Sequence, residues 1–290
     1  MDVRQLEYFL AIVDHAGFNR AAKHLHLAQP SLSQAIRGLE RHLGVMLFHR
    51  IGRRVVLTDA GRALIQPARQ VLRDVDTARA AIDSLKGLTA GEVDIACMPT
   101  PAVEPLTSII GRFSERYPDV SVRVLAEFTP GGVIDAVRTG VAQLGLLGTP
   151  QPVQAAGIEL HLLQEQRFVL IMRPDHPLGN KASVTAADLA GTDLIVVQHG
   201  TGQRQVVDTI SAQGVDVRIA VEVEHREAIL PLVLEGVGVA VMTEAWTSLS
   251  RKFALRVVPL EPTSFLQIYL AHRRARLTPA AEAFLNVAVG

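Results

Sequence analysis

The sequence predicts an α/β protein in two parts: a mainly helical N-terminal winged helix-turn-helix, and a larger C-terminal α/β part joined to it by a long helix. Three observations carry this. The first 58 residues show helical apolar stripes followed by one basic turn, residues 59–87 hold a sustained heptad, and from Glu92 short apolar runs alternate with helical patterns. With 290 residues, 48% hydrophobic and only 20% charged, the chain has apolar material for two packed cores, which excludes a disordered chain.

Asp2 is placed to cap a first helix with Gln5 three residues on, and Leu6, Phe9, Leu10 and Val13 fall on one face. Gly17 is expected to end it. Asn19 is expected to cap a second short helix carrying Ala21, Ala22 and Leu25. A third helix opens at Gln29-Pro30, where a first-turn proline is tolerated, buries Leu32, Ile36, Leu39 and Leu43, and stops at Gly44. Between those apolar positions Gln29, Ser31, Ser33, Gln34, Arg37 and Arg41 are expected to face outward: short hydrogen-bonding groups first, arginines further along. Leu47-Phe48 and Val55-Val56-Leu57 then flank His49-Arg50-Ile51-Gly52-Arg53-Arg54, which predicts two short strands around a basic turn, a wing.

Thr58 is placed to cap a long helix in which Leu64, Ala68, Val71, Val75, Ala78, Ile82 and Leu85 alternate spacings of four and three, the signature of a coiled-coil seam. Pro67 lies too deep for a first-turn proline, so a kink or a missing hydrogen bond near Ala63 is expected. Two glycines in 86–91 read as a hinge. Beyond it, strands are expected near 92–98, 120–127, 142–147, 158–173, 193–198, 217–223, 238–243 and 265–271, with helices near 103–117, 131–139, 202–213, 226–235 and 279–289. That order predicts mostly parallel sheets and leaves one lobe or two undecided.

The zero net charge hides an asymmetry. Residues 1–87 hold 13 Lys+Arg against 8 Asp+Glu, leaving 16 against 21 for 88–290, so the two parts carry +5 and −5. A basic head suits an anionic polymer such as DNA. The single cysteine, Cys97, excludes an intrachain disulfide and any multi-cysteine metal site, and no metal site or cofactor is expected. No run approaches the roughly 20 apolar residues of a membrane span, so a cytoplasmic chain without a membrane partner is expected.

The run from Asn19 to Glu40 (NRAAKHLHLAQPSLSQAIRGLE), followed by Leu43 to Arg50 (LGVMLFHR) and Leu57 to Gly61 (LTDAG), resembles the signature of LysR-type transcriptional regulators. Looser similarity continues through Phe113, Tyr117-Pro118, His176-Pro177-Leu178, Gly200-Thr201-Gly202 and Leu234 to Gly238. The resemblance implies a DNA-binding domain at 1–58, a dimerising linker helix at 59–87 and an effector-binding domain at 88–290. The last would be two-lobed, like periplasmic solute-binding proteins, with lobe one 91–163 plus 268–290 and lobe two 164–267, the chain crossing near 163–167 and 262–267. The partners so implied are double-stranded DNA, a small-molecule effector, RNA polymerase and further copies of the chain, as a homodimer or homotetramer. Ala28 departs from the family by standing where a hydroxyl cap is frequent.

Gln29, Pro30, Ser31, Ser33, Gln34 and Arg37 on the third helix are the candidate DNA contacts, with Gln29, Ser33 and Gln34 the candidates for reading bases. Arg50, Arg53 and Arg54 of the wing would meet phosphate or the minor groove; a merely solvated turn is the plainer alternative, and by analogy Arg50 is structural. Leu64, Val71, Val75, Ala78 and Ile82 are the candidate dimer seam. In the C-terminal part Pro99-Thr100, Thr129, and Gln198-His199 with Thr201-Gly202 lie in loops between a strand and a helix start, where backbone amides favour anions. Each loop alone reads more readily as a helix cap than as a ligand site, and their convergence on an interlobe cleft comes from the resemblance. Cys97, in the apolar run Ile95-Ala96-Cys97-Met98, reads as a buried side chain, and a peroxide sensor would need a second cysteine.

An enzyme is the first rival reading, but Gly-x-Ser-x-Gly, His-Glu-x-x-His, a P-loop and a complete Gly-x-Gly-x-x-Gly are absent. A transport-type binding protein is the second, against which the winged head and the lack of a signal peptide both argue.

Overall fold

The computed structural model describes residues 1–51, 54–83 and 91–290, with backbone alone at Arg50, Ile51, Arg54, Arg73, Asp76, Thr77 and 79–83. Two compact units result, one within the first 83 residues and one from Gly91 onward. Among the described residues no helix is long and apolar enough to cross a membrane.

In the first unit, α1 (Val3–Asp14) starts at a reciprocal capping box: Gln5 N donates to Asp2 Oδ1 over 2.8 Å and Asp2 N to Gln5 Oε1 over 3.1 Å. The next helix, α2 (Phe18–His24), has Gly17 at its N-cap and not Asn19 as expected; starting two residues earlier lets Phe18 enter the core. Helix α3 (Gln29–Leu43) begins at Ala28 without a side-chain cap and ends at Gly44 in the left-handed region, φ 71°. Strands β1 (Phe48–Ile51) and β2 (Arg54–Leu57) pair antiparallel, with Phe48 opposite Leu57 and Ile51 opposite Arg54. One core of Leu6, Phe9, Ile12, Phe18, Leu32, Ile36, Leu39, Leu47 and Phe48 joins all these elements.

Helix α4 (Asp59–Asp83) runs uninterrupted through Pro67. The proline lies on an exposed side, as does Ala63, so the carbonyl that loses its donor faces water and the helix is not broken. Leu64 does not stand free for a dimer seam: with Ala68, Ile65 and Leu72 it packs on the core of its own head. Heptad spacing marks an apolar stripe and does not say which partner covers it.

The second unit follows the order β3 (Gly91–Cys97), α5 (Pro99–Val103), α6 (Leu106–Arg116), β4 (Val120–Ala126), α7 (Pro130–Thr139), β5 (Leu144–Thr149) and β6 (Ile158–Met172). After β6 come β7 (Val184–Thr185), β8 (Asp193–Val197), α8 (Gly202–Ala212), β9 (Arg218–Val223), α9 (Ile229–Leu234), β10 (Val239–Thr243), α10 (Thr247–Lys252), β11 (Arg256–Glu261), β12 (Phe265–Arg273) and α11 (Pro279–Val289). The strands lie in the order β4-β3-β5-β12-β6-β10-β8-β9, with β11 also on β6 and β7 on β11.

The long strand β6 organises this sheet. Its residues Ile158 to Arg167 pair with β12, and Phe168 to Met172 pair with β10 and β11. It therefore passes from one half of the sheet to the other between Arg167 and Phe168. Helices cover both faces of each half. In the first half α6 and α11 pack through Phe113 and Phe284 on one face, and α7 packs through Val133 and Val137 on the other. In the second, α8 brings Val207 and Ile210, and α9 brings Ile229 and Val233.

The sheet is mixed, with parallel pairings in the expected majority by five to four. Pairs β3–β4, β3–β5, β8–β9, β8–β10 and β7–β11 are parallel, but every pairing of β6, and β12 with β5, is antiparallel. Each half is built from strand-helix-strand crossovers, and the strands that cross between halves return against them. The helix expected over 103–117 is split at Pro105, which cannot continue the helical hydrogen bonds of α5.

Candidate DNA-binding face and interlobe polar cluster

The exposed side of α3 is held rigidly. Buried Glu40 accepts hydrogen bonds at Oε1 from Leu47 N at 2.8 Å and Phe48 N at 3.4 Å, fastening the helix to the start of the wing. Thr58 donates to Met46 O at 2.7 Å and accepts from Gly61 N at 2.9 Å, so one hydroxyl caps α4 and ties it to the same loop. Only glycine fits at 61: a Cβ there would stand 2.2 Å from Leu47 O. These contacts account physically for Glu40, Leu47, Thr58 and Gly61 of the signature.

Pro30, Ser31, Gln34, Arg37 and Arg41 face solvent on this helix. Ser33 does not, contrary to expectation: it is 8% exposed and accepts a hydrogen bond from the half-buried Gln29 Nε2 at 2.8 Å. The serine tucks toward Phe18 and Ile36 at the floor of a cavity of about 530 Å³, which Gln29, Pro30, Arg37 and His49 also line. Arg53, with Gly52, lies outside the described residues, as do the side chains of Arg50, Arg54 and Ile82. On α4, Val71 is 37% exposed, Ala78 is exposed and Val75 is half-buried.

In the second unit the sequence-selected loops separate into two groups. Thr129 is exposed and its Oγ accepts from Gly132 N at 3.0 Å, so it caps α7. Thr201 is buried; it accepts from Arg204 N at 3.3 Å and donates to Gln198 O at 3.1 Å, capping α8. Exposed His199 sets Nδ1 3.5 Å from Asp208 Oδ2. Gly202 does not offer an open amide as expected: it is buried, and a Cβ would meet Leu266 Cδ1 at 2.6 Å. The glycine there lets α8 approach β12.

Thr100 is the member that joins the two halves. It is 2% exposed and follows half-buried Pro99, and its Oγ accepts from Gln203 Nε2 at 2.9 Å and from Arg226 Nη1 at 3.0 Å. A second bridge lies beside it, where Gln166 Nε2 donates to Glu104 O and its Oε1 accepts from Thr243 Oγ, both at 2.8 Å. Arg226 is 7% exposed, and among the described residues no carboxylate lies within ion-pair distance of it. Burial alone pushes its guanidinium down to about 10. Nearby Arg204 is equally buried but paired with Asp208 at 2.8 Å and with Glu222. Sequence reading missed Gln203 and Arg226; the signal available was an arginine three residues before the apolar run at Ile229, which places it on the inner face of a helix start.

Cys97 is buried as expected, and desolvation pushes its thiol up to about 12.

Comparison with known proteins agrees with this architecture. Residues 3–62 match the family described as bacterial regulatory helix-turn-helix protein, lysR family, and residues 86–289 match the LysR substrate binding domain. The RuBisCO operon transcriptional regulator of Allochromatium vinosum is 30% identical over 289 residues, covering 98% of this chain and 94% of the relative. OxyR of Escherichia coli is 31% identical over 243 residues, covering 83% and 79%. Among solved structures, full-length OxyR from Pseudomonas aeruginosa superposes with a TM-score of 0.76 at 25% identity, covering 99% of this chain and 93% of that one. CbnR complexed with its target DNA has the same fold, with a TM-score of 0.71 at 24% identity and 99% of both chains covered. Its relatives are regulators and not enzymes, and this chain belongs to the LysR family of DNA-binding transcriptional regulators with an effector-binding domain.

Proposed function

We propose that the chain binds a specific DNA sequence through α3 and that a small anionic effector, held at the Thr100–Gln203–Arg226 cluster, controls this binding. The observation that carries the effector reading is Arg226, a buried guanidinium with a hydroxyl for its only described partner. An amide, a guanidinium and the free proton of Thr100 converge there, all donors, and a carboxylate or phosphate is the complement they lack. Further effector contacts in this reading are Pro99, Thr129, Gln198, His199 and Thr201, with Gly202 letting α8 approach β12.

The cluster spans both halves, so an anion bound there favours one relative arrangement of them over another. Edge strands β4 and β9 expose Val124 and Ile219, each 44% accessible, which supports side-by-side pairing of effector domains in a homodimer or homotetramer. Exposed Val71 and Ala78, with Val75, support pairing through α4. A regulator of this kind works in the cytoplasm, on double-stranded DNA, and communicates with RNA polymerase.

The test is thermal unfolding of the full chain against a panel of small carboxylates and phosphates. Selective binders should raise the wild-type stability by about 2.7 kcal/mol at a hundredfold excess over Kd and should do little for Thr100→Val. Cations or neutral sugars stabilising instead, with no anion active, would refute the anionic assignment.

A further inference from the structure

Glu159, His161 and His272 bring their ligand atoms within 4.8 Å of one another, at the end of the first half-sheet where β5 begins, since His272 pairs with Leu144. Glu159 and His161 are two residues apart on β6 and therefore share a face, and His272 lies directly opposite Glu159 on β12. The imidazoles stack with centroids 5.1 Å apart at 13° and meet Nε2 to Nε2 at 3.0 Å. Glu159 Oε1 stands 3.7 Å from His161 Nε2.

The backbone decides the tautomer of His272. Its Nδ1 lies 2.8 Å from Arg273 O, and a carbonyl only accepts, so Nδ1 carries the proton and Nε2 presents a lone pair. A backbone carbonyl behind a ligating imidazole is the outer partner that metal-bound histidines commonly have. Facing it, His161 Nε2 either donates a proton or gives that place to a cation.

We propose that Glu159, His161 and His272 form a site for a divalent transition-metal ion of the Zn²⁺ class, pinning β6 to β12. Donors about 2.0–2.1 Å from a tetrahedral ion stand about 3.3 Å apart. The imidazoles need to separate by only a few tenths of an ångström, and the half-exposed Glu159 closes the third position by side-chain rotation. Two imidazoles and one carboxylate suit zinc, cobalt or nickel and not the all-oxygen shells of magnesium or calcium. A fourth position stays open to water. Spacing along the chain concealed the site, since Glu-x-His is a weak signal and His272 follows 111 residues after His161.

The site ties β12 to the start of β6, the strand that runs on into the second half, and on β6 it lies upstream of the register shift opposite Ile268 and Tyr269. The experiment is Zn²⁺ titration of the full chain, freed of metal, in competition with a chromophoric chelator, alongside Co²⁺ absorption in the visible. One ion per chain and an intense tetrahedral Co²⁺ band are expected. His161→Ala should weaken binding at least about a hundredfold, because even outer partners of a ligand are worth about 10–100-fold. Glu159→Gln, at a more exposed position, should also weaken it and supplies the reading if the first variant unfolds. His225→Ala, which removes the other histidine beside a glutamate, 3.4 Å from Glu227, should change nothing. Wild type failing to bind at micromolar Zn²⁺, or both site variants binding as wild type does, would overturn the assignment.

Discussion

Arg226 makes the ligand-free protein less stable than its packing allows. Its guanidinium is lowered by burial from 12.5 to about 10, which at about 1.4 kcal/mol per tenfold is a penalty of roughly 3 kcal/mol. The charged form is the one disfavoured, so the penalty is fully present at neutral pH and fades only as pH rises from about 10 toward 12.5. Arg226→Met is therefore expected to raise the unfolding free energy of the ligand-free chain by up to about 3 kcal/mol while abolishing stabilisation by anions. Denaturant titration of both proteins checks it; a variant less stable than wild type that still responds to anions would contradict the role given to Arg226. Cys97 is the opposite case, a group made inert. With its thiol pushed up to about 12, it should resist alkylation at pH 8 in the native chain and take one label after unfolding. Burial of that cysteine was legible in its apolar run. The burial of Arg226 was not, because neighbours 126 residues away in sequence create it.

At the scale of elements, α3 was legible almost whole, since apolar spacing, Pro30 and Gly44 fix its register and ends. Ser33 was misread because a small polar side chain beside the stripe can turn inward once Gln29 supplies a donor. That leaves Gln34 as the exposed amide of the proposed base-reading set, with exposed Arg37 a turn further on. Gln34→Ala should relax sequence preference at particular base pairs, whereas Arg37→Ala should weaken specific and scrambled duplexes alike and lower the salt slope by about 1. Equal loss of discrimination in both variants would remove the division of roles. Strand β11 went unseen because Pro259 within it argues against a strand, and α10 because six residues hold too little periodicity. Helix α4 divides by function, its first turns packing into the head and later positions exposed. Val75→Glu would put a charge into any seam formed there and should cost several kcal/mol of dimer stability. Sedimentation at micromolar concentration reads this directly; an unweakened dimer would mean that pairing rests on the effector domains.

For the whole molecule, what the effector can change is set by the sheet. Among the described strands only β6 pairs in both halves, while the chain re-enters the first half from β11 into β12, and the hydrogen bonds of Thr100 and Gln166 bridge the same gap. Sequence alone left one lobe or two open, because strand order says nothing of which strand changes partners midway. The anion proposed to bind at Arg226 would add a bridge, and it would alter DNA binding only if its affinity differed between the DNA-bound and DNA-free arrangements of the assembled chains. Such coupling is reciprocal by necessity: the factor by which effector changes DNA affinity equals the factor by which DNA changes effector affinity. Calorimetric titration of an effector from the thermal screen, with and without its operator, should therefore give two dissociation constants whose ratio matches that of operator binding with and without effector. A ratio in the range of about 5–150 corresponds to 1–3 kcal/mol of coupling. Thr100→Val should reduce effector affinity while leaving DNA affinity in the absence of effector unchanged, since the head keeps its own core. Equal effector affinity with and without operator, alongside a real change in transcription, would place control in a step after DNA binding and would exclude the coupling argued here.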